Sequence, residues 1–233
     1  MKSKTPHYAI ILATIAATVI AGCAAPTETA SKLKSNTSAT TSNTPTSMKT
    51  EEKSLQLAPP VAGDTIAVIE TDMGTIKIKL FPEQTPESAK NFQELAKAGK
   101  YKSVPFHRVA KDGRGEDFVI QTGDFSEKDG TGGYSYKGVG TTIPNEINEG
   151  LKHLYGSVGM ARKPQPDTNG SQFYIVTNKN GTPSLNGGYT VFGQVYEGMD
   201  VVDKIAAVET DPATDRPLKD ILMKSVTVMP YSS

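Results

Sequence analysis

The 233-residue chain has no tryptophan, one cysteine and three histidines, and its 25 basic residues balance 25 acidic ones. A lone cysteine, Cys23, cannot close an internal disulfide. No Cys/His cluster has the spacing of a zinc site, so no metal is expected. No run of Lys or Arg is interleaved with aromatics, which argues against a nucleic-acid partner. The stretch "GTGG" (Gly130 to Gly133) lacks the lysine and hydroxyl of a phosphate loop and reads as turn glycines. Ser171 in "NGSQF" is not in a nucleophile elbow and has no visible acid–histidine partners. Hydrolase, metal and nucleotide chemistry all lose ground, and no cofactor is expected. What remains is "FHRVAKDGRGEDFVIQTGDF", Phe106 to Phe125, in which His107 and Arg108 stand without any nucleophile beside them.

The chain opens as an exported protein would. Lys2 and Lys4 precede "YAIILATIAATVIAG", an apolar run shorter than the ~20 residues that span a bilayer and of signal-peptide length. It ends in "IAGC", whose small residues before Cys23 resemble the bacterial lipobox. Residues 1–22 are therefore expected to be a lipoprotein signal peptide and Cys23 to carry lipid, which makes a membrane a partner through that residue. Beyond it, "TETASKLKSNTSATTSNTPTSMKTEEKS" offers almost nothing to bury and cannot offset its ordering entropy. Residues 23–63 then form the lipidated cysteine with a disordered linker, and 64–233 one folded domain. The implied location is extracytoplasmic, lipid-anchored to a bacterial membrane.

In "DTIAVIETDMGTIKIKLF", Ile66, Val68 and Glu70 alternate with Ala67 and Ile69. Asp72-Met73-Gly74 turns the chain, and Ile76, Ile78 and Leu80 alternate again, which predicts a hairpin with one buried face. "TPESAKNFQELAKAGK" predicts a helix with Thr85 as N-cap, Pro86 at its first position, an Ala89, Phe92, Leu95 and Ala96 stripe, and Gly99 as its stop. Strands are predicted at 104–109, 118–121, 157–161, 172–177, 189–195 and 221–229, with a second helix in "EGMDVVDKIAAV" buried through Met199, Val202, Ile205 and Ala206. Many short strands, two helices and no βα alternation point to an all-β closed antiparallel sheet with the helices flanking it.

"FHRV…FVIQTGDF", "DGTGGYSY", "MARKPQPDTNGSQFYI" and "YTVFGQV" resemble, in order, the signature segments of cyclophilin-type peptidyl-prolyl cis-trans isomerases, over essentially Ile66 to Val228. The resemblance implies a closed eight-stranded antiparallel barrel with two flanking α-helices and an active site on its outer face. It also answers for the missing nucleophile. Twisting a prolyl amide costs ~18–20 kcal/mol because resonance is lost, and an apolar seat plus an aimed hydrogen-bond donor suffices to help. Arg108 matches the family's catalytic arginine, and Gln121 the glutamine that orients it and the substrate. Phe118, Val119, Tyr174 and Leu185 match the proline pocket, and Tyr189, in place of a histidine, walls it. Ala161, Arg162 and Gln172 match positions along the substrate backbone, while Phe106 and His107 match supports of the substrate site.

Three departures stand out. Residues 109–117 make a longer hairpin tip than in familiar members, Arg162 replaces an asparagine, and Ser184 stands where many members carry a tryptophan. The tryptophan's absence implies weak cyclosporin binding. The expected activity is cis–trans isomerisation of X-Pro bonds in exported proteins, by a monomer whose partners are proline-containing polypeptides. A non-catalytic chaperone or scaffold on the same fold is the alternative.

Overall fold

A computed structural model describes residues 55–232, so the signal peptide, Cys23 and linker positions 24–54 lie outside the described residues. Thr65–Thr71 (β1) and Gly74–Leu80 (β2) form the expected hairpin, with Ile69 opposite Ile76 and Ala67 opposite Ile78 on the buried face. Its turn is held by Thr71, whose hydroxyl donates to Gly74 O (2.7 Å) and accepts from Met73 N (3.1 Å). Gly74 has φ +133, and a Cβ there would meet Val201 at 2.8 Å, so the turn needs glycine twice over.

The helix Pro86–Lys97 (α1) buries Ala89, Phe92, Leu95 and Ala96, the stripe its spacing predicts. Its cap differs from the expectation. Thr85 occupies the N-cap position, but its hydroxyl donates to Phe81 O (3.0 Å). The free amides of Glu87 and Ser88 instead donate to the carboxylate of Glu146 at 2.9 and 2.7 Å. An anion from a distant loop thus satisfies the positive end of the helix.

Seven further strands follow: Val104–Pro105 (β3), Arg108–Lys111 (β4), Asp117–Thr122 (β5), Ser157–Met160 (β6), Phe173–Val176 (β7), Val191–Glu197 (β8) and Leu222–Pro230 (β9). A 3-10 helix covers Pro183–Leu185, and Met199–Ala206 (α2) buries Val201, Val202, Ile205 and Ala206. All pairings are antiparallel, in the order β3-β9-β1-β2-β8-β6-β7-β5-β4. Inside the curl, Phe92 packs its ring 5.2–5.5 Å from those of Tyr101, Phe173 and Phe192. Among the described residues no helix is long and apolar enough to cross a membrane.

The closed eight-stranded barrel is corrected by this topology. The sheet has nine strands and is open, a strongly curled half-barrel whose edges lie 9 Å apart. The expected strand 104–109 is two strands, β3 and β4, and these are the two edges. Pro105 has no N–H for a ladder. The next donors on this segment are taken from elsewhere: Phe106 N donates to Ile221 O (2.9 Å) and Val109 N to Asp215 O (2.8 Å). The chain itself, through Phe106 and His107, crosses the seam that hydrogen bonds leave open.

Residues 55–63, read from composition as linker, pack against the sheet. Gln56 is fully buried and bonds Lys152 O (2.8 Å), Ser157 Oγ and Gln194 Oε1 (both 3.1 Å) while accepting from Lys152 N (3.0 Å). The buried Lys79 ammonium donates to Leu55 O (2.7 Å) and Ala58 O (2.5 Å). A groove of about 330 Å³ runs between this segment and residues 79–84.

Candidate active site

Strands β4, β5, β7 and β6 lie side by side, and their register sets two rows of side chains. Val109, Ile120, Ile175 and Val158 stand opposite one another and enter the main core. One residue along, Arg108, Gln121, Tyr174 and Gly159 stand opposite one another on the outer face, as the period of two requires. Two residues further, Ala110, Val119 and Val176 continue that outer face and join Tyr174 in a separate apolar cluster. Phe118, Ala161, Leu185 and Tyr189 pack onto it, each still partly exposed.

Phe118 arrives there through a bulge. Lys111 pairs with Asp117 and Ala110 with Val119, so Phe118 is the extra residue between them. Strict alternation would send it inward; the bulge re-aims it to the outer cluster. Phe118, Val119, Tyr174, Leu185 and Tyr189 are therefore brought together in one outer cluster.

The polar side of the site is built by partners far apart in sequence. Arg108 is half-buried, and its Nε donates to Asp215 Oδ2 at 3.2 Å. Asp215 itself sits at φ +60 and uses its carbonyl on Val109, so one residue clasps both the backbone and the side chain of β4. Gln121 is the direct cross-strand partner of Arg108, yet its amide donates to Gln172 Oε1 at 2.8 Å. Gln172 in turn donates to Gly130 O (2.9 Å) and Gly132 O (2.8 Å). Asp124 shapes that loop by accepting from the amides of Glu127, Gly130 and Gly132 at 2.9–3.0 Å. Burial pushes its carboxyl up, but these amides outweigh it and hold the pKa below the usual value. Gln121, Gln172, Ala161 and Arg162 line a cleft of about 200 Å³ with the Gly130–Gly133 loop.

Four further expected site residues are placed as follows. Phe106 is wholly buried in the inner core and cannot touch a ligand on the outer face. His107 is 4% exposed, with its ring against Gly130, so both residues brace the site rather than line it. Burial, with Arg216 and Arg108 adding and Asp124 and Asp129 opposing, holds the His107 imidazole below its usual pKa. Arg162 turns its guanidinium to the carbonyls of Gly188 (2.8 and 3.0 Å), Lys163 and Pro164 (2.9 Å each). It stacks 4.4 Å from the Tyr189 ring centroid. Its donors are spent on the pocket rim. Tyr174 buries its hydroxyl against His153 Nε2 at 2.8 Å, leaving its ring for the pocket.

The long tip is exposed at 113–116 and folded on Asp112, which accepts from Arg114 N (2.8 Å) and Glu116 N (3.0 Å). Sequence reasoning missed Asp215, His153 and Asn186. Each acts across many residues, and no local pattern announces them. Asp124 lay within a quoted motif and could have been singled out. Among the described residues no three His, Cys, Asp or Glu side chains gather as metal ligands.

Residues 66–228 match the family described as cyclophilin type peptidyl-prolyl cis-trans isomerase/CLD. The Arabidopsis thaliana peptidyl-prolyl cis-trans isomerase CYP18-2 is 36% identical over 164 residues, 70% of this chain and 93% of the relative. Homo sapiens peptidyl-prolyl cis-trans isomerase-like 3 is 38% identical over 161 residues, 69% of this chain and 93% of that one. A crystal structure of a Cryptosporidium parvum cyclophilin type peptidyl-prolyl cis-trans isomerase, in the presence of the dipeptide Ala-Pro, matches with a TM-score of 0.64 at 33% identity. That match covers 72% of this chain and 99% of the Cryptosporidium one. The chain belongs to the cyclophilin-type peptidyl-prolyl cis-trans isomerases and is an enzyme acting on proline-containing segments.

Proposed function

We propose that this isomerase works outside the cytoplasm, held to a membrane by lipid on Cys23, and that Arg108 is the catalytic donor for X-Pro bonds of exported polypeptides. One observation carries the catalytic part: a half-exposed guanidinium stands in the same outer row as Tyr174, beside an apolar cluster open to solvent. A proline ring fits the seat of Phe118, Val119, Tyr174, Leu185 and Tyr189. An Ala-Pro dipeptide, present with the Cryptosporidium relative, has the chemistry this seat would take.

As the amide twists, its nitrogen regains a lone pair that the planar form lacks. A guanidinium N–H aimed at that nitrogen bonds it only in the twisted state, which stabilises the transition state over the ground state. A thousandfold acceleration requires only about 4 kcal/mol. With Nε held by Asp215, the terminal nitrogens of Arg108 have no hydrogen-bond partner among the described residues and can turn to substrate. Gln121, tied to Gln172, offers its carbonyl side to the substrate backbone along the adjacent cleft. Uncatalysed isomerisation takes tens to hundreds of seconds, so such a catalyst matters to folding proteins. No ATP is needed.

The location rests on sequence: the lipobox-like "IAGC" and the Ser/Thr-rich tether after it. The test is phase partition with detergent. Wild type should enter the detergent phase, and Cys23→Ser should stay aqueous or remain an uncleaved precursor; identical membrane association would refute the anchor. Ser184 on the exposed 3-10 helix supplies neither the ring nor the N–H of a tryptophan, which supports weak cyclosporin binding. Catalysis is tested by kcat/KM on an X-Pro peptide beside the peptide's affinity. Retained peptide binding with turnover lost in Arg108→Ala is the result expected.

A further inference from the structure

His153 is 2% exposed and belongs to no strand, yet it touches both sides of the apolar seat. Asn186 Oδ1 accepts from His153 backbone N and lies 2.9 Å from His153 Nδ1. A backbone N–H only donates, so the Asn186 atom facing it is the carbonyl oxygen, and that oxygen can only accept. Nδ1 therefore carries the proton. Nε2 is left bare and accepts the Tyr174 hydroxyl proton at 2.8 Å. The two rings stack, 20° from parallel with centroids 6.0 Å apart.

The rest of the neighbourhood fixes the same residue. His153 O accepts from Thr182 N (2.8 Å), and Thr182 O accepts from Leu185 N (3.0 Å), so the turn carrying Leu185 hangs from His153 through Thr182 as well as through Asn186. Tyr174 is confined from the other side by Gly159, where any Cβ would lie 2.4 Å from its hydroxyl. Lys152, next in the chain, is pinned through both backbone groups by the buried Gln56. Burial, with Lys152 adding and Asn186 opposing, holds the imidazole below its usual pKa and keeps it neutral.

We propose that His153 is a positioning residue for the proline seat, fixing the separation between Tyr174 on β7 and the turn carrying Leu185, and so the width that accepts a proline ring. The proposal rests on reading the outer cluster as that seat. Loss of the clamp costs binding in ground and transition states alike, so it raises KM and spares kcat.

The experiment has two arms on the purified full-length protein. Nitrogen NMR of the wild-type imidazole should report the Nδ1–H tautomer, with Nε2 shifted when an Ala-Pro peptide binds. In the second arm, His153→Phe should raise KM about tenfold with kcat within about threefold. His153→Gln, which keeps an acceptor near Nε2, should recover most of that loss. Adding Tyr174→Phe to His153→Phe should cost little more, because the two residues act as one unit. An Nε2–H tautomer, or folded His153→Phe with wild-type KM, overturns the proposal. Should His153→Phe fail to fold, the wild-type spectrum and the glutamine variant decide it. Tyr174→Ala with unchanged KM would instead bring down the reading of the seat, and the proposal with it.

Discussion

On the inner face of β4, β5, β7 and β6, Val109, Ile120, Ile175 and Val158 are at most 2% exposed and meet only the core. One residue along the same strands, Arg108 and Gln121 are half-exposed and Tyr174 is the only ring in the row. The inner row is satisfied by apolar packing among its neighbours and requires nothing from outside the curl. The outer row is polar at one end, and each polar group there is held by a residue distant in sequence: Arg108 by Asp215, Gln121 by Gln172, Tyr174 by His153. The two rows show how one set of strands separates stability from function. Packing fixes the strands, and long-range side-chain bonds then aim the groups that face a ligand.

The comparison breaks most sharply at Arg108. Arg108→Ala should lower kcat/KM by roughly 100- to 1,000-fold, the range for removing one donor aimed at a developing lone pair. Arg108→Lys keeps the charge but loses the planar fork and should lose most of the rate too. Neither should move the melting temperature much, since an ion pair exposed on both sides contributes little. Full activity in well-folded Arg108→Ala would take the donor role away.

Ile120→Ala, one residue from Gln121 and pointing the other way, should do the reverse. It empties a fully buried site and should cost about 2–5 kcal/mol in urea unfolding. The molecules that remain folded should keep nearly wild-type KM. A large KM change without a stability loss would mean that the two rows are not separate.

Much of this was legible in the sequence because it is local. The hairpin at 65–80, the α1 stripe and the outer cluster all follow from alternation, from 3.6-residue spacing or from signature segments. What stayed hidden was set by partners far away. Thr85 looked like a cap, but Glu146 supplies the carboxylate. Residues 104–109 looked like one strand, but Pro105 and the claims of Ile221 and Asp215 on the next amides split it and leave the sheet open. Residues 55–63 looked like part of the polar tether before them, but their one polar side chain, the fully buried Gln56, makes its bonds about 100 residues away while Leu55, Leu57 and Val61 stay exposed. Composition sees what a segment can bury, not what it can bond.

The two buried histidines sharpen the comparison through pH, because His107 braces the polar end and His153 the apolar end. Both have folded pKa values held below 6.5, chiefly by burial. Below that value the unfolded chain takes up protons that the folded chain refuses, so their contribution is whole above pH 6.5 and is lost as pH falls through the depressed values. Asp124, also depressed, keeps its contribution until well below that, losing it as pH drops under 3.8 and through its folded value. Urea midpoints should fall between pH 7.5 and 5 with the slope unchanged, and then again in strong acid. A flat midpoint between pH 7.5 and 5 would contradict the histidine assignment.

The smallest effect should come from Asp215. Its ion pair with Arg108 is exposed to solvent, so its removal leaves stability nearly untouched. The substitution must respect the backbone, because φ +60 penalises most side chains but suits glycine and tolerates asparagine. Asp215→Gly therefore keeps the loop and the carbonyl that holds Val109 N while deleting the carboxylate. Arg108 would lose its fixed plane and wander between orientations, so kcat should fall about three- to tenfold with KM little changed. Asp215→Asn retains an acceptor for Nε and should fall less. High salt should shrink the gap between wild type and Asp215→Gly, since it screens the pair in wild type. Should Asp215→Gly raise KM and spare kcat, the loop would be shaping the seat rather than aiming the arginine, and the polar row would stand on Gln121 and Gln172 alone.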